Sequence, residues 1–263
     1  MRNLIFAALA STALVACSSE PEAPAEPTYS SEDYSAALLD IARPEADRAR
    51  DASRKPGELL AFAQIDKGDV VGDFIMGGGY VTRLLAIAVG NDGKVYAFQP
   101  EEFIAFRAEY ATEQDDAVAP YADADGNQNK VIPLRAPITD PGWPEPLDTI
   151  ITVMNLHDLY LSQMPDDLPE TVAQSLFAAL KPGGTLVVVD HSSVEGGDVA
   201  AAANDLHRGD KQTAIDLMTG VGFVLEEDSD LYSRPDDPRT ALVFDESIQG
   251  VTDQFTLRFS KPE

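Results

Sequence analysis

The stretch from Val70 to Val89 constrains the fold more than any other part of the chain. Val70 to Ile75 is a short apolar run that reads as a strand, Gly77-Gly78-Gly79 follows, and Tyr80 to Val89 reads as a helix. A strand that turns through glycines into a helix leaves backbone N–H groups at the helix start and lets a ligand approach the main chain closely. The alternation then continues. Lys94 to Phe98, Val131 to Ala136, Thr149 to Met154, Thr185 to Asp190, Phe223 to Glu226 and Phe255 to Phe259 read as strands. Glu101 to Tyr110, Thr171 to Leu180 and Asp210 to Gly220 read as helices, with turns at Asn91-Asp92-Gly93 and Lys181-Pro182-Gly183-Gly184. Apolar runs separated by amphipathic helices predict an α/β domain whose parallel sheet is covered on both faces.

The region before this domain reads differently. Arg2 is a short positive segment, and Leu4 to Val15 is an apolar run too short to span a bilayer. It ends in Leu14-Val15-Ala16-Cys17, which resembles a lipobox, so residues 1–17 are expected to be a lipoprotein signal. Cys17 is the only cysteine, which excludes an intramolecular disulfide. Serine rather than aspartate follows it, which points to an outer-membrane lipoprotein facing the periplasm. Residues 18–34 carry Pro21, Pro24, Pro27 and several glutamates with no aliphatic cluster, the composition of an extended linker. The domain is therefore expected over residues 35–263. Tyr34 to Ile65 reads as two helices broken at Pro56, with Arg43, Asp47, Arg50, Asp51, Arg54 and Lys55 pairing on a solvated face or, as a lid, turning Arg43 or Arg50 inward. The formal net charge of −26 repels phosphate backbones and anionic headgroups. Nucleic acid is excluded on this ground, membrane contact is assigned to the Cys17 lipid alone, and a small molecule is the expected substrate.

Four segments carry a family resemblance. Val70-Val71-Gly72-Asp73-Phe74-Ile75-Met76-Gly77-Gly78-Gly79 resembles the first motif of class I S-adenosylmethionine (SAM) dependent methyltransferases. Gly93-Lys94-Val95-Tyr96-Ala97, Leu180-Lys181-Pro182-Gly183-Gly184-Thr185-Leu186 and Gly220-Val221-Gly222-Phe223 resemble the approaches to their second, fifth and sixth strands. The resemblance spans roughly residues 40–263. It implies a Rossmann-like seven-stranded sheet with helices on both faces and an antiparallel last strand. It also implies SAM as cofactor, with Asp73, Gly77, Gly78, Gly79 and Gln99 lining it and Asn155 near the sulfonium. Three positions depart from the family pattern. Ile75 replaces the first glycine of the motif, and Gln99 replaces the carboxylate that accepts from the ribose hydroxyls. Arg135-Ala136 stands where a Gly-Asp pair is usual. An amide lacks the charge-assisted strength of a carboxylate acceptor.

The titratable residues gather at one edge. The chain has three histidines: His157 follows the fourth strand, His191 the fifth, and His207 precedes the next helix beside Arg208. Ligands of open α/β sheets bind at the carboxyl ends of the strands. His157, Asp158, His191 and His207 are thus the candidates to position or deprotonate an acceptor. His157 and His191 with Asp158 or Asp190 offer metal-ligand chemistry, but without a short His-x-x-x-His spacing no metal is assigned. Asp123-Ala124-Asp125-Gly126-Asn127 resembles a calcium loop loosely. Two readings compete with a methyltransferase: a non-catalytic ligand-binding lipoprotein on the same fold, and a hydrolase using the histidine edge.

Overall fold

The computed structural model describes residues 29–263. The expected signal sequence, the lipobox-like segment and the expected linker up to residue 28 lie outside the described residues. The packed fold begins earlier than residue 35. Tyr34 is buried and its hydroxyl donates to the Ile65 carbonyl, 2.9 Å away.

Four short helices come first: α1 Ser35–Leu38, α2 Glu45–Arg48, α3 Asp51–Arg54 and α4 Pro56–Ala63. The main alternation follows as β1 Val70–Phe74, α5 Tyr80–Ala88, β2 Lys94–Pro100, α6 Glu101–Phe106, α7 Glu109–Val118, β3 Val131–Ala136, β4 Leu147–Val153, α8 Leu168–Ala179, β5 Leu180–His191, α9 Val199–Leu206, α10 Lys211–Gly220, β6 Val224–Ser229 and β7 Gln254–Ser260. The strands form one seven-stranded sheet in the order β3-β2-β1-β4-β5-β7-β6. The first five strands run parallel, and β7 is antiparallel to both β5 and β6. Alternation along β5 divides its side chains between two cores. Val187 and Val189 face one cluster with Leu60, Leu84 and Leu85, whereas Leu186 and Val188 face the other with Val172, Leu176, Met218 and Phe259.

Local departures from the sequence reading have physical causes. The helix expected over Glu101 to Tyr110 breaks at Arg107, which is extended at φ −140° and ψ 101°. Its guanidinium instead stacks 3.8 Å from the Tyr110 ring centroid. The expected turn Lys181–Gly184 is a bulge inside β5, where pairing jumps from Leu147/Leu180 to Thr149/Thr185. Helix α9, absent from the sequence reading, is started by Asp198, whose side chain accepts from the Ala201 N–H. The charged helices near residue 47 are not a solvated face. Arg43 and Asp47 are buried, with Arg43 paired to Asp51 and Asp47 to both Arg50 and Arg83.

Candidate functional site

Chain progress reverses between β1 and β4, and the crevice outside the strand ends at such a switch is where open α/β sheets bind ligands. A cavity of about 1010 Å³ lies there. Its floor is the loop from Ile75 to Gly78, and its far wall is the ends of β4 and β5 with His157, Asp158 and His191. Phe103 and Tyr110 close one side, and Val243 and Phe244 close the other. Arg50 and Arg54 reach it from the N-terminal helices.

The glycine loop is held from several directions. Met76 N–H donates to the Phe98 carbonyl at 3.0 Å, and Gly77 N–H donates to Gln99 Oε1 at 3.1 Å. Arg83, held by Asp47, donates to the Gly78 carbonyl at 2.9 Å. Gly79 begins α5 at φ 77°, and a Cβ there would stand 2.4 Å from the Ala117 Cβ. Gly79 therefore seats α5 against α7 rather than facing the cavity. At Gly77 and Gly78 the space is open: an added Cβ meets nothing within 4 Å at the first and only Glu113 Oε2 at 4.0 Å at the second. These two leave their main chain open toward the cavity.

Ile75 occupies the glycine position of the motif and keeps glycine geometry, at φ 63°. A β-branched residue in this region is strained by about 1–3 kcal/mol. Asn155 Nδ2 donates to the Ile75 carbonyl at 2.9 Å and to the Val153 carbonyl at 2.8 Å. Asn155 thus clamps the β1 and β4 ends together at the cavity. Gln99 is fully buried, its oxygen taken by Gly77 and its Nε2 without a partner. Glu102, which also lines the cavity, accepts from the Ile138 N–H.

Asp73 lines the cavity, and its carboxylate accepts from the Thr82 hydroxyl at 2.5 Å. This bond ties the end of β1 to the first turn of α5. Burial pushes the Asp73 carboxyl up to about 6 despite the Thr82 bond. Between its ordinary value of 3.8 and about 6, the folded chain keeps a proton that the unfolded chain has released. The contribution of Asp73 to stability is therefore present in acid and lost as pH rises through 6. Asp73→Asn retains an acceptor for Thr82 and removes the buried charge. It is expected to be more stable than wild type by about 2–3 kcal/mol at pH 8 and little different near pH 4. Urea denaturation at both pH values checks this, and an asparagine variant weaker at pH 8 would contradict it.

At the histidine edge, Asp190 is the buried centre. It accepts from the His157 ring Nδ1 at 2.8 Å, the His157 N–H at 2.7 Å and the His191 N–H at 2.8 Å. Burial opposes its charge, but these donors and the His157 charge hold its carboxyl below the ordinary value. For His157 burial disfavours the cation, yet Asp190 and Asp158 outweigh it and the imidazole is raised. His191 is pushed down to about 4, chiefly by burial, and its Nδ1 lies 2.8 Å from the Thr252 hydroxyl. Burial lifts Asp158 to about 6. His207 Nδ1 approaches His157 Nε2 to 3.3 Å.

Arg208 and Asp237, both fully buried, hold this edge together. The guanidinium donates through two nitrogens to Asp237, and also to the Ser192 and Ala241 carbonyls. Asp237 in turn accepts from the Asp253 N–H at 2.7 Å. The ends of β5 and α9 and the loop 230–253 are thus joined at one ion pair, which delivers His191 and His207 to the cavity and Thr252 to His191. The sequence reading placed Arg208 only as a neighbour of His207 and said nothing of 230–253, which has no periodicity. The Asp123 loop is a turn: its carboxylate accepts from the Asp125 and Asn127 N–H groups and the Asn127 and Asn129 side chains.

Comparison with known proteins finds no matching family model and no matching curated protein. The structure is similar to solved ones. A SAM dependent methyltransferase from Aquifex aeolicus shares 18% identity at a TM-score of 0.51, over 78% of this chain and 88% of that one. An arsenic (III) S-adenosylmethionine methyltransferase from Chlamydomonas reinhardtii shares 17% identity at a TM-score of 0.56, over 88% of this chain and 73% of that one. A TehB-like SAM-dependent methyltransferase from Corynebacterium glutamicum shares 14% identity at a TM-score of 0.50, over 82% and 95% of the respective chains. The fold is that of the class I SAM-dependent methyltransferases.

Proposed function

We propose that the chain is a SAM-dependent methyltransferase for a small-molecule acceptor, tethered in the cell envelope by a lipid on Cys17. The observation that carries this reading is the single cavity that runs from the open main chain of Gly77 and Gly78 to the histidine edge. Its volume of about 1010 Å³ stands at the upper end of ligand pockets, which run about 300–1,000 Å³, and so has room for a cofactor and an acceptor together.

The residues present fit the body of SAM better than its ribose. Gly77, Gly78 and the start of α5 offer a main-chain cradle, and Ile75, Met76 and Phe103 offer apolar walls. The ribose clamp is altered, because the Gln99 oxygen already accepts from Gly77. When bound, SAM supplies an electrophilic methyl group. The chain's own residues then have to orient the acceptor and keep water out. Arg50 and Arg54 place positive charge on the side of the cavity formed by the N-terminal helices, with Asp73, Glu102 and Asp158 elsewhere on its wall, which suits an acceptor with an anionic group at the arginine side. Of the inner histidines, His157 is raised by Asp190 and Asp158 and has its Nδ1 engaged by Asp190, while burial pushes His191 down to about 4 and makes it a weak proton acceptor.

Calorimetric titration of the purified protein with SAM and with its demethylated product tests the reading. Saturable binding of either supports it, and no binding of either at millimolar concentration overturns it. Gln99→Glu refines the test. A carboxylate keeps the acceptor for Gly77, removes the unpartnered Nε2 and adds a charged acceptor for ribose hydroxyls. It is expected to tighten SAM binding several-fold, about 1 kcal/mol. Unchanged affinity in that variant would place the ribose away from this residue. The strained Ile75 and the amide at Gln99 favour one rival, a binding protein without turnover. Tight binding with no methyl transfer to any acceptor would select it.

A further inference from the structure

We propose that His157, Asp158 and His207 form a binding site for one divalent transition-metal ion, zinc foremost, on the cavity wall. The site itself does not depend on the methyltransferase reading; its use toward an acceptor rests on that reading.

The donor atoms are already gathered. His157 Nε2 lies 3.3 Å from His207 Nδ1 and 3.5 Å from Asp158 Oδ1, and His207 Nδ1 lies 3.9 Å from Asp158 Oδ1. Tetrahedral zinc ligands with bonds of about 2.0–2.2 Å stand about 3.3–3.5 Å apart. Two separations match, and the third closes with a small side-chain rotation. The Asp158 carboxylate is largely buried and accepts no hydrogen bond among the described residues, and two imidazole nitrogens face each other across the gap.

The surroundings match those of a metal site. Metal-ligating histidines commonly donate their second ring N–H to a carboxylate, which fixes the tautomer and raises ligand basicity. Asp190 stands in that position on His157 Nδ1, at 2.8 Å, and is itself fully buried. With the proton on Nδ1, the Nε2 lone pair faces the gap. His207 ends α9 in the left-handed region at φ 52°, strain that a non-glycine residue carries only where its surroundings impose it. The buried Arg208–Asp237 pair fixes the chain immediately after it. All three ligands line the cavity. Three protein ligands with an open fourth position are the pattern of catalytic zinc rather than structural zinc. The fourth position would take a hydroxyl, thiol or water of the acceptor and favour its anionic form. His191 stays outside the set, its ring centroid 6.2 Å from that of His157.

The test uses the full chain without an affinity tag, stripped with a chelator. Zinc is titrated by calorimetry and cobalt by visible absorption, both in the absence of SAM. One ion per chain is expected, with a four-coordinate cobalt spectrum that zinc abolishes. His207 is at a partly exposed helix end, so His207→Ala should fold, as near-ultraviolet circular dichroism will report. It is expected to weaken zinc binding by at least about 100-fold, and Asp190→Asn by about 10–100-fold with the stoichiometry kept. No saturable binding of either ion overturns the proposal. So does zinc binding that His207→Ala and Asp158→Asn both leave within about threefold of wild type, less than loss of a supporting carboxylate alone would cause. A SAM titration of the same metal-free protein separates the two readings. Saturable zinc binding together with no SAM binding supports the metal site and overturns the methyltransferase; saturable SAM binding together with no zinc binding does the reverse.

Discussion

Valine at position 79 is expected to destabilise the domain by about 3–5 kcal/mol, whereas valine at position 78 should leave stability within about 1 kcal/mol of wild type. Both glycines belong to one motif, and their surroundings decide the difference. At Gly79 a Cβ would stand 2.4 Å from the Ala117 Cβ and 2.9 Å from Arg83 Nη1, on a backbone at φ 77°. The substitution therefore combines overpacking between α5 and α7 with left-handed strain in a β-branched residue. At Gly78 the only neighbour within reach is Glu113 Oε2 at 4.0 Å, and the residue lines the cavity. Valine there projects its methyl groups where a ligand must approach the main chain. SAM affinity should fall at least tenfold, about 1.4 kcal/mol or more. Urea denaturation and calorimetry on the two variants read both effects. Wild-type SAM affinity in Gly78→Val would remove this loop as the cofactor cradle.

Arg208→Met is expected to be comparably severe, at about 3–5 kcal/mol, because it leaves Asp237 buried and charged without its partner. Both side chains of the pair are fully buried, and the guanidinium also serves the Ser192 and Ala241 carbonyls. Arg208→Lys should recover little, since an ammonium cannot make the two-nitrogen contact to Asp237 while also reaching both carbonyls. Arg208→Met with Asp237→Leu should regain part of the loss by removing the orphaned charge, although the Asp253 and Arg239 N–H groups then lose their acceptor. Chemical denaturation of the three variants checks the order. A lysine variant as stable as wild type would mean that the charge matters and the fork does not.

The fold was legible because its signals are local. Apolar runs of strand length, the Gly77–Gly79 turn and the recurring helices each announce themselves within about ten residues. The antiparallel seventh strand followed from family resemblance and is present between β5 and β6. The site was legible only as an edge. Placing His157, Asp158, His191 and His207 after successive strands brings them near one another, but nothing in their spacing says which pairs meet. His157 meets His207 and Asp190, while His191 turns to Thr252. The buried ion pairs were invisible for a related reason. Arg43, Asp47, Arg208 and Asp237 have the composition of a solvated surface, and only contacts across the fold bury them. Gln99 was read as a ribose ligand, whereas its oxygen caps Gly77, a contact set by how β2 and the loop sit side by side.

The wall beside Arg54 is made from the two ends of the described chain. Lys55 Nζ donates to the Leu231 carbonyl, the Tyr232 hydroxyl to the Arg54 carbonyl, and Arg234 to the Ser53 carbonyl. These partners are 176, 178 and 181 residues apart. Contacts of such separation form late, because the entropy of closing the intervening chain has to be met first. Synthesis delivers the N-terminal part first. The helices around residue 54 must therefore wait for loop 230–253 before their side of the cavity exists. A nascent chain that has completed β1 to β5 already owns the glycine loop, His157 and His191, yet holds them in an open trough. Ligand competence arrives with the last strand: a chain interrupted before residue 230 lacks β7, the partner of Arg208 and one side of the cavity, and is not expected to bind.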